Sequence, residues 1–178
     1  MPMDLLGGMM GAIVGVYVLV PLFPFLYVVV RWRVGASGEP GTGTLGALQY
    51  FRSLSLLGAH VGASLALTAL LQMEDSGDLL RSAFAILVAS VLFYGINFVC
   101  AARAGPLAGD HPVRRVFDGF LLVACGLVGF GALLALFLEL FSKRTNTEDV
   151  KAALSWGLVW LGGFGGRAYL LLRAVKRP

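Results

Sequence analysis

Apolar residues are gathered into five long stretches separated by short polar loops. These stretches cover residues 5–30, 46–71, 82–102, 116–138 and 152–172. An α-helix needs roughly 20 residues to cross a hydrocarbon core about 30 Å thick, and each stretch has about that length. The pattern therefore predicts an all-α fold: a polytopic bundle of five transmembrane helices. The bundle would form one transmembrane domain over residues 1–178, with no soluble domain.

Composition supports placement in a membrane. The chain is 58% hydrophobic and 13% charged, whereas soluble domains are roughly 45–50% apolar and about 25% charged. The net charge of +4 is small and its basic residues are scattered, so no nucleic-acid partner is expected. The main partner predicted from composition is the lipid bilayer.

The first apolar stretch does not have the features of a cleaved signal peptide. Its leading segment, MPMD, carries Asp4 and no basic side chain. A signal peptide has a positive leading segment and an apolar run of only about 7–15 residues. We therefore expect this stretch to be retained as the first helix.

The distribution of Lys and Arg predicts the orientation, because these residues are enriched in cytoplasmic loops. With five crossings, eight basic loop and tail residues fall on the side of the carboxyl terminus and four on the other side. The amino terminus is therefore predicted outside and the carboxyl terminus in the cytoplasm. The richness in Ala, Gly, Val, Leu and Arg is typical of bacterial chains, which favours the bacterial cytoplasmic (inner) membrane.

Glycines spaced four residues apart predict sites of close helix packing, because an absent side chain lets another backbone approach. Such glycines occur in the first, second and fifth stretches: Gly7, Gly11, Gly15, Gly58, Gly62, Gly162 and Gly166. The partner could be another helix of the same chain, a second copy or another membrane subunit.

Polar residues inside the stretches are the candidates for a functional site, since such residues are costly in lipid. They are Arg52, His60, Asn97, Asp118 and Arg167. With the predicted orientation, all except His60 fall in one cytoplasmic-side layer roughly 10 Å thick. This layer would suit an anionic headgroup, an anionic substrate or a partner's carboxylate. The alternative is that the arginines extend to the interface and that Asp118 pairs with a basic residue one turn away.

His60 is the ionisable residue nearest to mid-membrane, and four roles are open for it. It could bind haem, relay protons or hydrogen-bond a quinone or substrate, or it could be a neutral His bonded within the bundle. A bis-His haem site would need His111, which lies in a loop. No cofactor is predicted, with haem and quinone as the alternatives.

Recognisable catalytic and metal-binding motifs are absent from the sequence. It contains no H-E-x-x-H, G-x-S-x-G or Walker loop. Cys100 and Cys125 have no C-x-x-C spacing. No catalytic or metal-ligating residue is therefore assigned, and the sequence leans against an enzyme.

Three functional classes remain. The first is a membrane subunit or interaction protein whose glycine-lined helices pack against copies of itself or against other membrane subunits. The second is an oligomeric channel or transporter for a small solute such as an anion, with the polar layer around its pathway. The third is a lipid- or quinone-handling protein that uses His60 and the same layer.

Overall fold

The computed structural model describes residues 26–27, 42–72, 77–103, 112–142 and 145–175. Four long helices occupy this part of the chain. They are α1 (Thr42–Gln72), α2 (Gly77–Arg103), α3 (Pro112–Leu140) and α4 (Thr147–Val175). The predicted all-helical fold is confirmed for the described residues. The first apolar stretch, apart from residues 26–27, lies outside them, as do Gly7, Gly11 and Gly15.

Three of these helices are long and apolar enough to cross a membrane: Gly46–Gln72, Gly77–Cys100 and Arg114–Leu140. They coincide with the second, third and fourth predicted stretches, and they indicate a membrane-integral protein. Helix α4 has 29 residues but is not one of the three. Its glycines, two tryptophans and Arg167 dilute its apolar character. The crossing of the membrane by the first stretch and by α4 stays a prediction.

The start of α4 is fixed by a side-chain cap. Asn146 Oδ1 accepts a hydrogen bond from the backbone N–H of Glu148 at 3.1 Å, and Asn146 Nδ2 donates to Asp149 Oδ2 at 2.9 Å. The backbone N–H of Val150 donates to the Asn146 carbonyl at 3.1 Å. Asn146 therefore satisfies amide groups that would otherwise lack partners at the helix start. Glu148 and Asp149 add negative charge where the helix dipole favours it.

Most polar side chains within the helices are satisfied by their own helix. Lipid offers no hydrogen bonds, so polar groups inside a membrane need partners within the protein. Six side chains donate to the backbone carbonyl four residues earlier, at 2.8–2.9 Å: Ser55, Ser64, Thr68, Ser82, Asn97 and Ser155. This local bonding lets the helices carry hydroxyl and amide groups without a second helix as partner.

The chain divides into two compact units. The first comprises residues 1–57 and 92–121, and the second comprises residues 58–91 and 122–178. In the described part of the first unit, Leu57 and Phe117 are buried. The rings of Phe51 and Phe93 lie 6.1 Å apart, centroid to centroid.

Helix packing in the second unit depends on glycines. A methyl group on Gly62 of α1 would lie 2.8 Å from Leu87 Cγ and 3.1 Å from the Leu87 backbone nitrogen on α2. A methyl group on Gly129 of α3 would lie 2.9 Å from Leu161 Cγ and 3.2 Å from its backbone nitrogen on α4. Both distances to backbone are tighter than ordinary contacts, so these two positions hold the helices closer than alanine permits.

The outer surfaces of the helices are apolar. Only 17% of the most apolar part of α2 and 22% of that of α3 is buried, against 39% for α1. Large side chains such as Phe84, Phe98 and Phe130 are mostly exposed. An apolar surface of this extent is unusual for a soluble monomer and suits contact with lipid.

Candidate functional site

The five polar residues predicted as a site are divided between the two units. Arg52, Asn97 and Asp118 belong to the first unit, whereas His60 and Arg167 belong to the second.

In the first unit, each of the three polar residues has a partner on its own helix. Arg52 Nη1 donates to Gln49 Oε1 at 3.4 Å, and Asn97 Nδ2 donates to the Phe93 carbonyl at 2.8 Å. Asp118 Oδ2 lies 3.6 Å from Arg114 Nε, one turn earlier on α3. The contact of Asp118 with Arg114 is the local pairing that the sequence offered as an alternative for Asp118; the contacts of Arg52 and Asn97 were not predicted.

In the second unit, His60 of α1 packs directly against α4. Its ring centroid lies 5.3 Å from that of Trp160, with the ring planes at 47°. A methyl group on Gly163 would overlap His60 Nε2 and would lie 2.8 Å from His60 Cδ2. The same methyl group would lie 3.5 Å from Cys125 Sγ on α3. Gly163 is thus the position at which side chains of α1 and α3 both reach the α4 backbone.

One face of α4 is built around this contact. Trp156, Trp160, Gly163 and Arg167 follow one another at intervals of four, three and four residues. Helical geometry places residues at this spacing on one side of the helix; we call this side the inner face. Trp156 and Trp160 stack with centroids 6.2 Å apart and planes at 6°. Trp160 is only 2% exposed.

Two nitrogen atoms on the inner face are buried without a hydrogen-bond partner among the described residues. They are Trp160 Nε1 and Arg167 Nε. Both carry an N–H group that can only donate. Burying a donor without an acceptor is costly, so such groups are rare in folded proteins. The inner face therefore offers two donors that lack acceptors.

No carboxylate of the described residues neutralises the charge of Arg167. It forms no ion pair with an acidic residue in the ranges that the structure describes. Its guanidinium instead interacts with the thiol of Cys125. The inner face therefore carries a net positive charge next to a buried thiol and two aromatic rings.

Sequence reasoning found His60 and Arg167 but not the residues that join them. Trp160, Gly163 and Cys125 complete the cluster, and the interval from Trp160 through Gly163 to Arg167 is the signal that points to it. Gly58 of the predicted packing set is buried. Gly162 and Gly166 are exposed, and a methyl group on either would meet no heavy atom within 4 Å.

No protein-family model, no curated protein and no solved structure matches this chain. Within the described ranges, no three His, Cys, Asp or Glu side chains are grouped so that they could hold a metal ion.

Proposed function

We propose that this chain is a small polytopic membrane protein that acts as a membrane subunit or interaction protein. Its glycine-lined helices would pack against a second copy or against other membrane subunits. The observation that carries this proposal is the exposed glycine face of α4.

A second side of α4, which we call the outer face, is turned away from the middle of the inner face by about 90° to 170°, at roughly 100° per residue. Gly162, Gly165 and Gly166 lie on it, and a methyl group at any of them would meet no heavy atom of the described residues within 4 Å. Leu158 and Tyr169 lie above and below these glycines and are 59% and 63% exposed. The result is a shallow depression with a backbone floor and larger apolar side chains at its two ends.

Such a depression suits a helix better than it suits lipid. Helix association in lipid depends on close van der Waals packing, which small residues permit. Glycine inside a helix costs about 0.5–1 kcal/mol relative to alanine, and contact with fluid lipid offers nothing specific in return. The chain already uses glycine for close packing at Gly62 and Gly129. We infer that Gly162 and Gly166 do the same with a helix from another chain.

The proposal includes a topology. All five apolar stretches, including the first stretch and α4, would cross the membrane, with the amino terminus outside and the carboxyl terminus in the cytoplasm of a bacterial cell. At about 1.5 Å per residue, the 29 residues of α4 are long enough to cross. Alkaline phosphatase and fluorescent-protein fusions in each loop test this topology. Phosphatase activity at the carboxyl terminus would contradict it.

The association is tested by native mass spectrometry and single-molecule photobleaching on protein extracted in native lipid particles. We expect wild type to be recovered as an assembly with itself or with other membrane polypeptides. The double variant Gly162→Leu, Gly166→Leu should be recovered as a single chain. The matched control is Gly131→Leu on α3, which also faces open space and should leave the assembly intact.

Two outcomes would overturn the proposal. One is a wild-type chain that is monomeric in its own lipid, and the other is an assembly that survives the double substitution. A homo-oligomer that passes small anions in a liposome flux assay would replace the interaction protein by the channel alternative.

A further inference from the structure

We propose that the glycine-rich segment 162–166 is a hinge within α4, about which the carboxyl-terminal part of the helix, residues 167–175, bends relative to the amino-terminal part. The contact between Arg167 and Cys125 restrains this movement. The proposal concerns the motion of one helix within a single chain, so it goes beyond the proposed association and does not depend on it.

The composition of the segment weakens the helix at one place. Four of its five residues are glycine, and no five consecutive residues of α1, α2 or α3 contain more than two. Glycine disfavours helix more than any residue except proline, because its backbone loses the most conformational freedom on folding. Glycine is also one of the few identifiable causes of a sharp bend in a helix. The segment is therefore the place where α4 bends most easily.

Three of the four glycines are not needed for packing among the described residues. A methyl group on Gly162, Gly165 or Gly166 would meet no heavy atom of that part of the chain within 4 Å. A methyl group on Gly163 would instead overlap His60 Nε2, so Gly163 is required where α1 meets α4. The three open glycines thus loosen the helix without bringing a described neighbour closer.

The two parts of α4 are packed to different extents. Before the glycine-rich segment, Ser155 and Trp160 are only 0% and 2% exposed. After it, none of residues 167–173 is buried, and Leu170 and Leu172 are each 63% exposed. Segments with few buried contacts move more readily than segments in a core. The amino-terminal part is therefore anchored, whereas little packing opposes movement of the carboxyl-terminal part.

A polar contact holds the carboxyl-terminal part at its first residue. The Arg167 guanidinium interacts with the thiol of Cys125 on α3, and Arg167 Nε is buried. Because Arg167 directly follows the last glycine of the segment, bending there would withdraw its side chain from Cys125. The contact therefore opposes bending, and its loss should favour the bent helix.

The test is a distance measurement by double electron–electron resonance on the full chain in dodecyl maltoside. Spin labels are attached to Leu154→Cys and Tyr169→Cys, which replace exposed residues on either side of the segment. A straight helix separates the Cα atoms of these positions by about 22 Å. The control pair is Val123→Cys and Leu138→Cys on α3, which has the same spacing and is also exposed.

The labelling uses the natural difference between the two cysteines. Cys100 is exposed and is replaced by serine, whereas Cys125 is buried and is retained without a label. An excess of unlabelled protein suppresses distances between copies. Circular dichroism confirms that each variant keeps its helical content.

We expect the α4 pair to give a distance distribution roughly twofold broader than the α3 pair, extending below the distance for a straight helix. The triple variant Gly162→Ala, Gly165→Ala, Gly166→Ala should narrow it to the width of the α3 pair, because alanine favours helix. The matched control, Gly131→Ala, changes an open glycine of α3 and should leave the α4 distribution unchanged.

The restraint is tested on the same labelled pair. Arg167→Gln should increase the share of short distances, because the contact with Cys125 is lost. Should Arg167→Gln fail to fold, Cys125→Ala takes its place and must have the same effect. An unchanged distribution in the folded variant would overturn the restraint.

Two outcomes would overturn the hinge. One is a wild-type α4 pair whose distribution is as narrow as that of the α3 pair. The other is a broad α4 distribution that the three alanines leave unchanged, since the glycines would then not be the cause of the bending.

Discussion

The two faces of α4 differ sharply although they share a short glycine-rich segment. Four of the five residues 162–166 are glycine. Gly163 lies against His60 and Cys125, whereas Gly162, Gly165 and Gly166 meet no described atom within 4 Å. Adjacent residues in a helix point about 100° apart. Gly163 therefore packs against α1 and α3, while its neighbour Gly162 points to an open surface. The spacing of glycines alone does not predict which of them pack against another helix and which are exposed.

The largest effect is expected where α3 approaches backbone atoms of α4. A methyl group on Gly129 would lie 2.9 Å from Leu161 Cγ and 3.2 Å from the Leu161 backbone nitrogen. Gly129→Ala should therefore force α3 away from α4 and lower the free energy of unfolding by about 2–3 kcal/mol. The measurement is unfolding in mixed micelles titrated with sodium dodecyl sulfate.

The control for this variant is two residues away on the same helix. Gly131 is exposed and open, so Gly131→Ala should leave stability unchanged or raise it by up to about 1 kcal/mol through helix propensity. Equal destabilisation by the two variants would show that α3 does not pack on α4 through Gly129.

A somewhat smaller effect is expected at Gly163, because the obstructing group is a side chain that can move. Gly163→Ala should displace the His60 ring and cost about 1–2 kcal/mol. His60→Ala removes the obstruction, so the double variant should be more stable than the sum of the two single changes predicts. A double-mutant cycle measures this coupling, with Gly162→Ala as the uncoupled control. Additive effects would contradict a direct contact between His60 and Gly163.

The sequence predicts the helices well but the arrangement of the site only in part. Stretches 46–71, 82–102 and 116–138 match three membrane-length helices because length and apolarity are local properties of the chain. Which side of α4 faces the bundle is not local: it depends on where α1 and α3 lie. His60 and Arg167 could therefore be singled out as costly polar residues, while Trp160 and Gly163 gained significance only from their neighbours.

The cap of α4 affects both of its faces equally, and this gives a third test. Asn146→Ala removes the acceptor of the Glu148 N–H and should cost about 1 kcal/mol. Because the cap lies outside both faces, association should remain as in wild type at a temperature where the protein is folded. Loss of association in the folded variant would mean that the start of α4, and not only one face, takes part in it.

The smallest effect is expected in the first unit, where Asp118 contrasts with Arg167. Asp118 Oδ2 lies 3.6 Å from Arg114 Nε, and the side chains of Arg114 and Asp118 are 40% and 25% exposed. Exposed pairs one helical turn apart contribute only about 0.3–0.5 kcal/mol, since water and salt screen them. The coupling between Asp118→Asn and Arg114→Gln should therefore be of that size, measured by a double-mutant cycle in the same detergent titration. Asp118→Asn should also leave the assembly intact, because the basic partner of Asp118 lies on the same helix. A coupling above about 2 kcal/mol, or dissociation of the assembly, would instead place Asp118 in a functional polar layer like the one that the sequence suggested.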